Sequence, residues 1–186
     1  EKRYMTYNLN LFVPDAEFKK ISSLEIESLK KFNLTHGYNV EGVSQLLAEK
    51  RDAIVLLNQD FDLFKPHLKN LKWEVERVGV ADCLIYSHRE YLAFNTLAQA
   101  ILKMIRLKNQ VINSQKPVVV IGEEDFCLGV ISKMIMNGFL EIIVALVGAE
   151  SDKEKQRIQS RIESFVFKTK VKIIDIQDLT STDVAA

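Results

Sequence analysis

The stretch VVVIGEEDFC, Val118 to Cys127, decides the fold. Four apolar β-formers run into a glycine, and an amphipathic segment follows, the pattern of a strand feeding a turn and then a helix. A dinucleotide-binding turn at such a corner carries three glycines. The first makes the tight turn, the second lets backbone N–H groups approach a pyrophosphate, and the third lets the helix pack against the strand. Gly122 supplies the first, and by spacing Glu124 and Cys127 stand at the other two. A carboxylate at a phosphate position fills the space and repels the anion. Asp125 is expected to cap the helix instead, accepting from its free N–H groups.

Downstream, DFCLGVISKMIMN reads as a helix with Gly138 where a C-terminal cap lies. EIIVALV then reads as a strand, DKEKQRIQSRIESFVF as a helix and VKIIDI as a strand. The helix places Ile158, Ile162, Phe165 and Val166 on its apolar face and the Lys153–Arg161 charges on a solvated one. This alternation predicts parallel β-α-β units with right-handed crossovers, a Rossmann-like segment. Neither the acid that would hold a ribose nor the arginine that would hold a 2′-phosphate stands at the end of EIIVALV, where Leu146, Val147 and Gly148 lie; Glu150 falls slightly late.

Upstream, Tyr4–Val13 alternates with period two, a half-buried strand ended by Pro14 and Asp15. Phe18, Ile21, Leu24, Leu29 and Phe32 recur at helical spacing, THGYN (35–39) reads as a turn, and Val40, Val43, Leu46 and Leu47 make a short amphipathic helix. AIVLL (53–57) predicts a buried parallel strand. Leu63, Phe64, His67, Leu68 and Leu71 suggest a helix around Pro66. VADCLIY and EYLAF flank SHR as a hairpin, and NTLAQAILKMIRLKN (95–109) reads as a helix with Thr96 and Gln99 as a capping box. The chain is expected to divide into an N-terminal α/β segment (1–94), a linking helix and connector (95–115) and a Rossmann-like segment (116–186).

The chain has 186 residues, 47% of them hydrophobic, enough for a sizeable core. Its 25 basic and 25 acidic side chains leave no surplus for a phosphate-tracking groove, so nucleic acid is not an expected partner. No apolar run reaches the roughly 18 residues of a membrane span and no signal peptide is legible, so no membrane association is expected. Cys83 and Cys127 are too far apart in sequence for a zinc motif or a disulfide framework and read as two buried cytosolic thiols, which places the protein in the cytoplasm. His36, His67 and His88 lack metal-ligand spacing. The chain starts at Glu1, so a fragment of a larger, multidomain enzyme is one reading.

NQDFDLFKPH (58–67) gathers polar groups after the AIVLL strand, where α/β sites form. Asp60 or Asp62 reads as an acid/base carboxylate or a helix cap, and Lys65 as a cationic acid or base.

The order of these pieces resembles the shikimate dehydrogenase family over roughly residues 50–175. VGVADCLIYSHREYLAFNT (78–96) carries the likeness: Gly79-Val80-Ala81-Asp82-Cys83 matches a glycine-alanine-valine-asparagine-threonine motif, and Asn95-Thr96-Leu97 an asparagine-threonine-aspartate motif. The resemblance implies a two-domain α/β enzyme with a substrate domain and an NADP-binding β-α-β domain, reducing 3-dehydroshikimate with NADPH through a lysine and an aspartate. Leu97 stands at the aspartate, Asp82 at the asparagine of the first motif, and the glycine-rich turn has become Gly122-Glu123-Glu124-Asp125. Asn58 and Lys65 echo the lysine's motif, with Lys65 one residue late. Against the family's pattern the chain is expected to be short of an opening strand-helix and of closing strands, which leaves the Rossmann-like segment incomplete.

The expected function is therefore a shikimate-dehydrogenase-like protein that has lost its cofactor and dehydrogenase chemistry and works as a binding, regulatory or scaffold module. A small-molecule ligand, a protein partner or self-association fits that role. The alternative is a divergent NADP-dependent shikimate/quinate-type dehydrogenase. The residues expected to matter are Lys65 and Asp82 for catalysis, Asn58, Asp60 and Asn95 for substrate, and Gly122 for the cofactor, with no metal.

Overall fold

The structure is a computed structural model that describes residues 7–23, 30–108, 113–148, 152–164 and 168–179. The chain divides into two compact units, residues 1–72 with 81–94, and residues 73–80 with 95–186.

The first unit begins with β1 (Tyr7–Phe12), α1 (Asp15–Ser22) and β2 (Phe32–His36). It continues with α2 (Val43–Ala48), β3 (Ala53–Leu56) and the one-turn helix α3 (Phe61–Phe64). The hairpin β4 (Cys83–Ser87) and β5 (Glu90–Phe94) completes a five-stranded sheet in the order β2-β1-β3-β4-β5. β1 is parallel to both β2 and β3, while β3, β4 and β5 are antiparallel. His88 and Arg89 turn the hairpin with φ of 53° and 69°, the two consecutive positive values that let two residues follow the strands' twist. Phe12 packs edge-on against Phe64 with centroids 4.8 Å apart, and both are fully buried with Ile54, Phe61 and Leu84.

The segment Phe32–His36 is a strand, where helical spacing predicts the end of a helix. Five consecutive pairings with β1, from Tyr7↔Phe32 to Leu11↔His36, override the local periodicity. Of the predicted helix, Asp15–Ser22 forms; Leu24 and Leu29 lie outside the described residues.

The second unit comprises α4 (Trp73–Val78), α5 (Leu97–Leu107), β6 (Val118–Gly122), α6 (Glu124–Met136), β7 (Glu141–Leu146), α7 (Asp152–Glu163) and β8 (Lys170–Asp175). β6, β7 and β8 form a parallel three-stranded sheet in that order, as the alternation of strands and helices requires. α6 is its central helix. Cys127–Ser132 are all buried, and Cys127, Leu128, Val130 and Ile131 share one apolar cluster with Leu102, Ile142, Val144 and Ile158. Gly138, at φ +82°, ends α6 with a paired motif: its N–H donates to the Ile135 carbonyl and that of Phe139 to the Met134 carbonyl.

α4 was not legible in the sequence. It lies within the 1–94 segment yet packs with the second unit, because Val75 and Val78 are fully buried and Glu74 accepts two hydrogen bonds from Lys133 of α6, at 2.9 and 3.0 Å. On α7, Ile158 and Ile162 are buried as expected, and Phe165 and Val166 lie outside the described residues. Both cysteines are free and buried. Burial pushes the Cys127 thiol up to about 12, and burial with the nearby Asp82 charge pushes Cys83 up to about 11.

Candidate functional site

In the first unit the chain runs from β1 to β2 on one side, then crosses to β3 on the other. Such a reversal between neighbouring parallel strands opens a crevice at their carboxyl ends. β1 and β3 meet there, and four of the residues singled out in the sequence come to that end. Asn58 opens the 3₁₀ turn Asn58–Asp60, closed by the Asp60 N–H donating to the Leu57 carbonyl at 2.9 Å. Asp60 is 8% exposed and its Oδ2 has no hydrogen-bond partner. Burial raises its pKa from the ordinary value of an aspartate. Asp82 reaches the same end because β4 runs antiparallel to β3: its carbonyl accepts from the Leu56 N–H and its N–H donates to the Phe94 carbonyl, both at 3.1 Å. Lys65 opens the next turn, Lys65–His67; among the described residues no carboxylate lies within ion-pair distance of it.

Two further groups at this end carry no signal of their own in the sequence. Asn10 of β1 is 2% exposed; its Nδ2 donates to Thr35 Oγ1 at 3.3 Å, and its Oδ1 has no partner. His36 closes β2 with its ring stacked on Phe18 at 4.4 Å, Nε2 at 2.8 Å from the Val13 carbonyl and Nδ1 at 3.5 Å from Asp15. An asparagine amid alternating residues and a histidine inside a supposed turn do not stand out, since their setting comes from the β1–β2 pairing. Among the described residues no cluster of three or more His, Cys, Asp or Glu side chains has metal-site geometry.

The other two singled-out residues, Asn95 and Gly122, belong to the second unit. Asn95 is 3% exposed, and neither its Nδ2 nor its Oδ1 has a partner. Thr96 follows as the N-cap of α5, without the side-chain cap bond that a capping box implies, and Leu97 opens the helix.

Gly122 ends β6. A methyl carbon there would come within 2.5 Å of Phe126 Cδ1, so the ring occupies the space that the glycine leaves. The N-cap of α6 is Glu123, not Asp125, and its side chain makes no cap bond; Glu124 and Asp125 lie in the first turn, where their charges still complement the helix dipole. Arg157 of α7 grips Glu124 through both its Nε, at 2.9 Å from Oε1, and its Nη2, at Oε2. Arg161 Nη1 lies 3.8 Å from both Glu124 and Asp125. The α7 charges thus face α6 as well as solvent. Glu150, the late candidate for a ribose, lies outside the described residues.

No family model matches the sequence, and no curated protein does. Solved structures do. Shikimate 5-dehydrogenase from Listeria monocytogenes, in complex with shikimate and NAD, superposes with a TM-score of 0.70 at 12% identity. The chain has a shikimate-dehydrogenase-like fold. Quinate dehydrogenase from Corynebacterium glutamicum, in complex with NAD, gives a TM-score of 0.71 at 12% identity, over 97% of this chain and 68% of that one. Shikimate 5-dehydrogenase from Thermus thermophilus, in complex with NADP(H) and shikimate, gives 0.63 at 14% identity, over 91% of this chain and 63% of that one. The match to the Listeria enzyme covers 96% of this chain but only 63% of the enzyme's. Among the described residues, no helix is long and apolar enough to cross a membrane.

Proposed function

We propose that this shikimate-dehydrogenase-like chain is a binding, regulatory or scaffold module that does not carry out NADP-dependent dehydrogenation. One observation carries the reading. Leu97, at the position of the family's proton-transferring aspartate, opens α5 with an aliphatic side chain that neither ionises nor hydrogen-bonds. A positioned proton-transfer group contributes about 10²–10⁴ in rate, and leucine supplies none of it. Lys65, the candidate for the other half of the pair, has no carboxylate beside it among the described residues.

The cofactor side agrees. The first turn of α6 does not fit a dinucleotide phosphate, because the ring of Phe126 fills the space at Gly122 and a carboxylate, Glu124, already sits in that turn. A small molecule is instead taken up in the first unit, at the carboxyl ends of β1 and β3, where Asp60 and Asn58 follow the strand. The protein works in the cytoplasm, where its two buried thiols stay reduced.

The test is turnover by the full chain, followed by nicotinamide absorbance, with 3-dehydroshikimate and NADPH in one direction and shikimate or quinate with NADP or NAD in the other. No rate above buffer is expected. A rate that disappears in Lys65→Ala, with the fold kept by circular dichroism, overturns the reading in favour of a divergent dehydrogenase.

A further inference from the structure

We infer that Glu124 is a built-in anion that closes the α6 N-terminus to nucleotide phosphate, held in place by Arg157 and Arg161. The inference rests on the proposed function and supplies the physical cause of its missing cofactor.

A phosphate at a helix N-terminus needs three things: open space beside the backbone, unsatisfied N–H groups with the positive end of the dipole, and no competing negative charge. The fold provides the helix, thirteen residues long and directly after β6. The side chains remove the rest. Phe126 stands in the space beside Gly122. Glu123, Glu124 and Asp125 bring three carboxylates to one helical turn, and Arg157 and Arg161 bring two guanidinium groups.

The arginines are the decisive part. Alone, they would draw a phosphate to this end of the sheet. Instead Arg157 commits its planar fork to Glu124, the bidentate geometry that makes arginine–carboxylate pairs strong. Glu124 is only 17% exposed on its side chain while Arg157 is 58% exposed, so the carboxylate is sheltered and solvent screens the pair from the arginine side. An incoming pyrophosphate would have to displace a carboxylate tethered to the helix and would meet the charges of Glu123 and Asp125 at close range. The chain has put its own carboxylate in the helix turn that follows β6 and turned it toward the arginines of α7.

The experiment is calorimetric titration of the full chain with NADPH and with inorganic pyrophosphate, comparing wild type with Glu124→Gln and Glu124→Gly, each variant made in a Phe126→Ala background that reopens the space at Gly122. The wild type should show no saturable binding up to millimolar ligand. Removing the charge of Glu124 from beside Arg157 should create binding of both ligands, tighter than wild type by about tenfold or more, the scale of one charge-assisted contact. That binding should weaken with salt and vanish when Arg157→Ala is added to Glu124→Gln. Micromolar NADPH binding by the wild type, whether or not either variant folds, overturns the inference. So do folded variants that gain nothing. Nucleotide binding without turnover sinks this inference alone, and turnover sinks the reading beneath it.

Discussion

The ring of Phe126 lies over Gly122 so closely that the glycine's missing side chain is what makes room for it: an ideal Cβ would stand 2.5 Å from Cδ1 and 3.0 Å from Cε1. Gly122 does not have a positive φ, so the reason for glycine here is contact and not backbone conformation. In a nucleotide-binding turn the same freedom admits a ligand; here it admits a phenylalanine four residues on.

Gly122→Ala should therefore destabilise the protein by about 1–3 kcal/mol, the usual cost of forcing extra volume into a packed site. In a Phe126→Ala background the same change should cost little. Urea unfolding of the four proteins of this cycle gives the coupling directly. Equal losses in both backgrounds would mean that Phe126 is not what the glycine accommodates.

The same corner marks how far the sequence could be read. β6 was legible because Val118–Ile121 is an uninterrupted run of β-branched residues ending in glycine, and the end of α6 because Gly138 has no other local use. The hairpin showed itself through two apolar runs around a short polar link. What the sequence hid was set by distant partners. β2 looked helical because Phe32 continued a helical spacing, and only its pairing with β1 makes it a strand. α4 has six residues, too few for a period to stand out. Glu124 and Arg157 are 33 positions apart, so a local reading saw a crowded phosphate turn but not the arginine that occupies it. Asp125 misses the N-cap position for a smaller reason: the helix begins at Glu124, which puts Glu123 there, and no side chain makes a cap bond.

The ion pair of Glu74 and Lys133 ties α4 to α6 in the second unit, with side chains only 11% and 13% exposed. Two charges so shielded gain little over a well-packed apolar pair, but either one alone is costly. Glu74→Ala should lose about 3–5 kcal/mol by stranding the Lys133 ammonium. Glu74→Leu/Lys133→Met should recover most of it, since both side chains are already nearly buried. Thermal and urea unfolding of the single and double variants decide the matter. A double variant as unstable as Glu74→Ala would show that the pair contributes attraction well beyond its desolvation.

At the carboxyl end of β3, Asp60 makes a prediction that runs with pH. Its carboxyl is buried, one oxygen has no partner, and burial raises its pKa above the ordinary 3.8. In the unfolded chain the proton leaves near that ordinary value; in the folded protein it is held to higher pH. Between the two values the folded state binds more protons than the unfolded one, so stability falls as pH rises. Below the ordinary value both states are protonated and nothing is lost. Asp60→Asn keeps the shape and removes the ionisation. The variant should match the wild type in acid, where Asp60 is neutral, and become the more stable of the two as pH climbs towards neutral. The measurement is the difference between their urea midpoints across that range, which cancels every other titrating group common to both proteins. A constant difference, or a variant less stable at neutral pH, would mean that the Asp60 carboxylate is compensated in the fold. The unpartnered oxygen at the carboxyl end of β3 would then carry no desolvation cost at neutral pH.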